Sequence, residues 1–530
     1  MIISQSHFSR IDFTSEKRYT LSSQSKELLK KVNAPVMAEI FLEGDLPSGF
    51  KKLQLAVIDQ LHDMKIYCKE PIFIQITNPY AVKPSEQSKY FESLIQRGIV
   101  PTNVRIKTDQ GTTTKLIFPA VALRGGGNEV VVNLLQNDQF LGQEENFIHS
   151  IELLEYKLAS GFKLLFQERK EKIAFLIGHG ELDQKQVFDF SRSLSESFNV
   201  IRTATDQIMA SPDSFKAVII AGPENRFPER DKFILDQYLM IGGRIMWVID
   251  PVKVSLDSLS NGMSTMAFPR DLNLSDQLFH YGIRYNADLI QDVECLQIKV
   301  NTALAGQPPK YSTAPWYFSP LLQPSQNHPI GKNVNRVLSK FVSSIDRVGE
   351  NDRVKSSVIL SSSPYSRINK CPMVVNLAMI DAPPARSMFN KQFIPTGELL
   401  EGVFTSVFKN RMVEEFGLPA GTVIIPESKQ TKMMFFSDGD LISSNNKMNR
   451  LGYDPVSNIT FGNKDYFINA VHYLCDDSGL MELRSRTMKL RLLDKVRLRE
   501  EIVIWQIVNV IAPVLLILIG GILFWFFRRR

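Results

Sequence analysis

Three apolar runs, Ile173–Glu181 (IAFLIGHGE), Lys216–Pro223 (KAVIIAGP) and Gly242–Pro251 (GGRIMWVIDP), each end in a turn of glycine, histidine, aspartate or proline. Amphipathic stretches predict helices near Gln184–Ser197 and over Glu229–Ile241, with a short strand at Asn199–Arg202 between them. Apolar strands alternating with helices at this spacing predict a parallel, doubly wound α/β sheet. Ala217–Gly222 carries no polar residue, which is the pattern of a strand buried on both faces.

N-terminal to this unit the alternation continues. Val36–Leu42 reads as a strand, Phe50–Met64 as a helix, Pro71–Ile76 as a strand and Pro84–Arg97 as a helix. Strands are then expected at Asn103–Thr108, Lys115–Arg124 and Glu129–Leu135, before one long helix over Gln143–Glu168. This order predicts a mixed sheet of thioredoxin-like topology over residues 1–170, with Glu43–Pro47 (EGDLP) in the turn where a redox motif would stand. Gly125, Gly126, Gly127 and Asn128 join two strands and precede neither a helix nor a Lys-Ser/Thr pair, so they predict a hairpin and not a phosphate loop.

C-terminal to it, residues 171–482 hold further expected strands at Ser356–Ser363, Met373–Ile380, Gly421–Ile425 and Lys432–Phe436, and a helix over Asn463–Cys475. Residues 307–329, with six prolines from Pro308 to Pro329 around Trp316, Tyr317 and Phe318, read as an ordered crossover loop that packs by its aromatics. Residues 483–501 form a basic juxtamembrane segment, in which Met488–Ile502 alternates Leu with Lys/Arg. Residues 502–527 contain no charge. As a helix that segment is about 39 Å long, enough to span a bilayer with room to tilt. Trp505 and Trp525 stand near its ends, and Gln506, Asn509, Pro513, Gly520 and Gly521 are candidates for a face toward a partner helix.

The composition suits a folded, multidomain chain: 530 residues, 44% hydrophobic and 22% charged, with 62 Lys+Arg against 56 Asp+Glu. A net charge of +6 spread over this length does not imply nucleic acid, and a mean hydropathy of −0.09 excludes a polytopic membrane protein. Cys68, Cys295, Cys371 and Cys475 are far apart and match no zinc spacing, so isolated thiols are expected. Met1–Ser22 lacks the seven-residue apolar core of a signal peptide.

Catalysis on a doubly wound sheet is sought at the carboxyl ends of its strands. His179 and Glu181 lie two apart in one such turn and need not face each other. Asp438 and Asp440 follow an apolar strand but make half a cation site, and a solvated turn with Gly439 at positive φ is the expectation. No phosphate-loop, nucleophile-elbow or zincin motif occurs, so no catalytic, cofactor-binding or metal-binding residue is assigned.

Several strings together carry a resemblance: Arg10–Ser22 (RIDFTSEKRYTLS), Phe41–Gln54, Phe175–Glu181, Val218–Pro223, Leu360–Arg367 (LSSSPYSR), Glu401–Arg411 (EGVFTSVFKNR), Ser437–Ile442 and Phe461–Lys495. The chain resembles the gliding motility-associated ABC transporter auxiliary proteins, the GldG family, of the Bacteroidetes. The resemblance implies a non-catalytic subunit anchored in the inner membrane, its bulk in the periplasm, working in gliding or protein secretion beside an ABC permease and a separate ATPase. It also implies a second domain like the class I glutamine amidotransferases, with Asp250 and Pro251 where those enzymes have a nucleophilic Cys. In that family a membrane helix runs directly into the block matching Arg10–Thr14, whereas nine residues precede Arg10 here. A hydrolase or amidotransferase-like enzyme using His179 or Asp438/Asp440, and a solute-binding receptor, are the alternative functions. A second copy of the chain stays open as a partner.

Overall fold

The computed structural model describes residues 20–108, 111–136, 138–139, 141–255, 258–259, 264–301, 308–349, 352–411, 422–444, 450–485 and 501–528. Two units are present, Tyr19–Arg486 and a second made of Met1–Arg18 with Thr487–Arg530.

The larger unit starts with helix α1 (Ser23–Leu29), capped by Ser22 Oγ, which accepts from Ser25 N at 3.0 Å. Strand β1 (Val36–Ile40), helix α2 (Ser48–Tyr67), strand β2 (Ile72–Ile76) and helix α3 (Gln87–Gln96) follow. Helix α2 buries Phe50, Leu53, Val57, Leu61 and Met64, the three-and-four spacing that puts one stripe on the core. A separate hairpin pairs β3 (Thr102–Thr108) with β4 (Gly111–Ile117), and β5 (Ala120–Gly125) and β6 (Asn128–Asn133) complete the main N-terminal sheet. Its order is β2-β1-β5-β6, with β1 parallel to β2 and β5 antiparallel to both its neighbours.

The expected strand Lys115–Arg124 divides at Phe118–Pro119, because Pro119 has no N–H to give a ladder and the chain changes sheets there. Gly126 and Gly127 have φ of +57° and +82°, the two positive values a two-residue hairpin of this kind requires, and the glycine run is a hairpin turn as expected. The expected helix Gln143–Glu168 is two, α4 (Gln143–Glu152) and α5 (Leu154–Leu165). They meet at Leu153, where ψ rises to −3°, and the bend lets Leu153 and Leu154, adjacent in sequence, both be buried.

The second part is a ten-stranded sheet. Its parallel half is β7 (Lys172–Leu176), β8 (Asn199–Thr203), β9 (Phe215–Ala221), β10 (Ile245–Val248) and the strand Thr431–Phe436, in the order β8-β7-β9-β10-(Thr431–Phe436). Alternate residues of these strands feed two apolar layers. Ile173, Phe175, Ile219, Val248 and Phe436 pack with helix α6 (Phe188–Leu194) and the helix Asn463–Cys475. Ala174, Leu176, Ile220, Trp247 and Phe435 pack with α7 (Thr205–Ala210), α8 (Glu229–Met240) and the helix Ser275–Tyr281. Each such large side chain, fully buried, stabilises by roughly 1.5–3 kcal/mol, which is why both faces must be covered.

Antiparallel strands Pro395–Gly402, Val354–Ser361, Tyr311–Pro324 and Cys295–Asn301 extend the sheet beyond Thr431–Phe436. The Pro-rich stretch expected as a crossover loop is therefore, over Tyr311–Pro324, a 14-residue strand. A proline forfeits only its own donor, and Pro320 sits at the register shift opposite Cys295, where the ladder is interrupted anyway. Trp316 and Phe318 do pack inward, against Phe341. The expected strand Gly421–Ile425 is not formed over 422–425, since Ile425 N donates to the Gln237 side chain at 2.7 Å instead of to a ladder. All four cysteines are free, as expected, with Cys295 and Cys475 buried.

Arg484, counted in sequence with the basic flank of the membrane segment, is buried. Its Nε donates to Pro329 O at 3.1 Å and its guanidinium covers the Tyr156 ring, so Leu480–Ser485 closes the body. The remainder of the basic stretch, 486–500, lies outside the described residues. In the smaller unit one helix, Ile502–Arg528, is long and apolar enough over Trp505–Arg528 to cross a membrane. At 100° per residue, Gln506, Asn509, Pro513 and Gly520 share a sector of about 60° on it.

Candidate functional site

The carboxyl ends of β7, β9, β10 and Thr431–Phe436 bring four turns together. Gly178 and Gly180, at φ of +126° and +76°, carry the chain away from β7 around His179. His179 O accepts from Glu224 N at 2.9 Å and Asn225 N at 2.8 Å, which ties the β7 turn to the β9 turn.

His179 is 4% exposed. His179 faces Glu181, a contact that two residues in one turn need not make: Nδ1 lies 3.0 Å from Glu181 Oε1, Nε2 lies 2.9 Å from Asp231 Oδ2, and the ring stacks on Phe227 at 3.8 Å. The reach is possible because Glu181 folds back far enough for its Oε2 to accept from His179 N at 2.7 Å. Burial disfavours the imidazolium, but the hydrogen bonds it donates to Asp231 and Glu181 and the charges of those carboxylates outweigh it, raising His179 to about 9. Glu181 and Asp231 are held below the usual carboxylate range by the same contacts, against burial. With the ring held as a cation and both nitrogens facing carboxylates, His179 in this arrangement presents no free lone pair for accepting a proton.

On the other side of the sheet end, Asp250 Oδ1 accepts from Gly439 N at 2.7 Å. Asp438 is fully buried; its carboxylate accepts from Lys340 N at 2.7 Å and Asp440 N at 2.8 Å. The solvated turn expected here is instead a staple between strand ends. Gly439 is not at positive φ. Glycine is needed because a Cβ there would lie 2.5 Å from Asp250 Oδ2 and 3.0 Å from Gly222 Cα. Loss of hydration and the charge of Asp440 push Asp250 up to about 6, and the same causes, with Asp250 added, push Asp438 well above the ordinary value. Among the described residues no group of three or more His, Cys, Asp or Glu could hold a metal ion.

This gives a pH signature. The native state keeps its proton on Asp250 up to about 6 whereas the unfolded chain releases it near 4. Native thus binds more protons in that window, and stability falls as pH rises through it. Asp250→Asn keeps the acceptor for Gly439 N and removes the titration, so urea unfolding between pH 4 and 7 should show a flatter profile and, at pH 7, a gain of up to about 3 kcal/mol. A variant profile as steep as that of the parent would show that Asp250 does not titrate in this way.

Sequence reading picked out His179, Glu181, Asp250, Asp438 and Asp440, and the structure brings all five to this edge. It missed Asp231, which lies 52 positions from His179, and Lys340, 98 from Asp438. No local pattern could have supplied them. Two of the quoted strings also have internal work. Asp292 accepts from Ser363 N, Ser363 Oγ and Ser366 Oγ of the LSSSPYSR block at 2.6–2.8 Å. Asp236 of α8 accepts from Ser406 Oγ at 2.6 Å and Val407 N at 3.0 Å in the EGVFTSVFKNR block. A cleft of about 680 Å³ lies beside the end of β10, and neither His179 nor Asp438 lines it.

A sequence profile of the family described as an ABC-type uncharacterized transport system matches residues 170–470, more than half of the chain. The chain belongs to this family. It is an auxiliary component of an ABC transport system. A profile for a domain of unknown function, DUF7088, matches residues 15–124 of the auxiliary protein. No match was found among curated proteins. Among solved structures, the mmIFT52 N-terminal domain is 13% identical and aligns over 57% of this chain and 96% of its own, with a TM-score of 0.33. Exo-beta-1,4-mannosidase Op5Man5 from Opitutaceae bacterium strain TAV5 is 11% identical over 58% of this chain and 41% of its own, with a TM-score of 0.16. Scores this low carry no argument.

Proposed function

We propose that this auxiliary protein is a non-catalytic subunit, anchored in the inner membrane by Ile502–Arg528, whose body stands in the periplasm as a binding or scaffolding part beside an ABC permease and a separate ATPase. Gliding motility or protein secretion in the Bacteroidetes is the process to which the sequence resemblance assigns it. The observation that carries the reading is the staple at the strand ends. In the amidotransferase-like reading Asp250 stands at the nucleophile position, and there it is committed to Gly439 N while His179 is committed to two carboxylates.

The topology supports the two domain resemblances. A sheet ordered β2-β1-β5-β6 in which only the third strand runs against the rest is the thioredoxin-type arrangement. The order β8-β7-β9-β10-(Thr431–Phe436), all parallel, is the doubly wound 2-1-3-4-5 order. We divide the body near residues 170/171, with the basic stretch after Leu480–Ser485 leading into the membrane segment.

Gln506, Asn509, Pro513 and Gly520 share a sector of the apolar helix, and Gly521 borders it, so that face suits close approach of a permease helix. Intramembrane polar contacts contribute about 0.6 kcal/mol each, so Gln506→Leu with Asn509→Leu should weaken permease co-purification. Replacing residues 502–527 by poly-Leu should abolish it while membrane insertion persists. Undiminished co-purification after the poly-Leu replacement would move the contact to the folded body.

A further inference from the structure

In the N-terminal part of the body a cleft of about 460 Å³ lies where the start of β3, the end of β6 and the first turns of α4 meet. That volume is in the range of small-molecule sites, about 300–1,000 Å³. Part of its wall is held by side chains that are already spent on the fold. Asn133 Oδ1 accepts from Val100 N at 2.9 Å and its Nδ2 donates to Gly98 O at 3.0 Å, which pins the approach to β3 against β6. The buried Asn146 exchanges hydrogen bonds of 2.8 and 2.9 Å with the Asp138 backbone, and Gln136 N donates to Ser150 Oγ at 2.7 Å, so Gln136 and Asp138 are fixed on α4. Phe147 meets Phe50 edge-on with ring centroids 4.8 Å apart, over Gly49, where a Cβ would lie 2.3 Å from the Phe147 ring.

Three other amides of this cleft are uncommitted. The side chains of Asn103, Gln136 and Gln143 make no hydrogen bond among the described residues. Asn103 and Gln143 are exposed, and Gln136, although half-buried, keeps its amide open to solvent. The described residues that line the cleft include no Lys, Arg, His, Asp or Glu. A charged ligand would lose hydration there with nothing to pair it, and a purely apolar one would strip water from three amides and leave their hydrogen bonds unmade. An amide presents a donor and an acceptor side by side, and a hydroxyl, itself donor and acceptor, satisfies both. Val100, Leu135 and Phe147 add apolar surface to the same cleft.

We propose that this cleft binds a neutral saccharide, its hydroxyls held by Asn103, Gln136 and Gln143 and the C–H face of a sugar ring lying on Val100, Leu135 and Phe147. The site is separate from the His179 and Asp250–Asp438 clusters and does not depend on the accessory-subunit reading.

Ligand-observed NMR on the full-length protein in phosphatidylcholine nanodiscs at pH 7, against an empty-disc control, tests this. The probes are the methyl glycosides of glucose, galactose, mannose and N-acetylglucosamine, the disaccharides maltose and cellobiose, and N-acetyl-Gly-Gly-amide as a neutral peptide. Saturable binding of at least one sugar is expected below about 10 mM, changing less than about twofold between roughly 50 and 500 mM NaCl because no ion pair is there to be screened. Asn103→Leu with Gln143→Leu should weaken that sugar by at least about fivefold, since two neutral hydrogen bonds are lost. Both positions are exposed and neither side chain bonds to the fold, so the unfolding temperature should stay that of the parent. Failure of every sugar to saturate below about 10 mM, or binding unchanged in the double variant, overturns the proposal. Binding of the peptide amide as tight as that of the best sugar also overturns it and assigns the cleft to an extended peptide.

Discussion

Replacing His179 by Ala is expected to cost about 3–5 kcal/mol of unfolding free energy at pH 7, the range for removing one partner from a buried ion pair. The side chain is enclosed by Glu181, Asp231 and the face of Phe227, and its loss leaves Glu181, whose side chain is 1% exposed, facing Asp231 without a cation between them. Urea denaturation of the single variant should show the loss. A triple variant that adds Glu181→Gln and Asp231→Asn should recover part of it, because the stranded charges are then gone. The pH dependence has a fixed sign. His179 is raised to about 9 from an unfolded value near 6.5, so its contribution is complete below about 6.5 and is lost as pH rises through about 9. Glu181 and Asp231 are lowered, so theirs is present above about 4 and lost on acidification. A His179→Ala variant within about 0.5 kcal/mol of the parent at pH 7, the range of ordinary surface substitutions, would mean that the clamp is not formed.

Deleting residues 501–530 is expected to move the protein from the membrane fraction to the soluble fraction with the body folded. The helix Ile502–Arg528 is about 40 Å long at 1.5 Å per residue, longer than the roughly 30 Å of bilayer hydrocarbon. The body keeps its own large apolar clusters inside, on both faces of the parallel sheet and beneath the N-terminal one. Fractionation before and after a high-salt wash, with circular dichroism of the soluble product, measures the outcome. Truncated protein that stays with membranes through the wash would show a second means of attachment.

The parts of the fold that were legible in sequence are those in which periodicity alone decides the outcome. Strands β7, β9 and β10 are apolar at almost every position because helices cover both faces. Asn463–Cys475 was bounded correctly because its apolar residues repeat at helical spacing. Prolines misled in both directions. Pro119 split a run that looks continuous, while Pro315, Pro320 and Pro324 sit inside a strand, Pro320 at its register shift and Pro324 at its last position. The candidate site was half legible. A turn after an apolar strand shows in sequence, so His179, Asp250 and Asp438 could be named. Whether such a residue is free or committed depends on partners such as Asp231 and Lys340, which only the sheet order brings within reach.

We propose for this chain an accessory-subunit role with no chemistry of its own. Its most direct test is affinity purification of the tagged full-length protein from its native membranes, with the recovered proteins identified by mass spectrometry and the eluate assayed for ATP hydrolysis. Co-recovery of an ABC permease and an ATPase subunit is expected, with ATP hydrolysis that disappears when the ATPase subunit is stripped away and is unchanged by Asp250→Asn. Recovery of the chain without transporter subunits, or turnover by the stripped chain that Asp250→Asn abolishes, would contradict it.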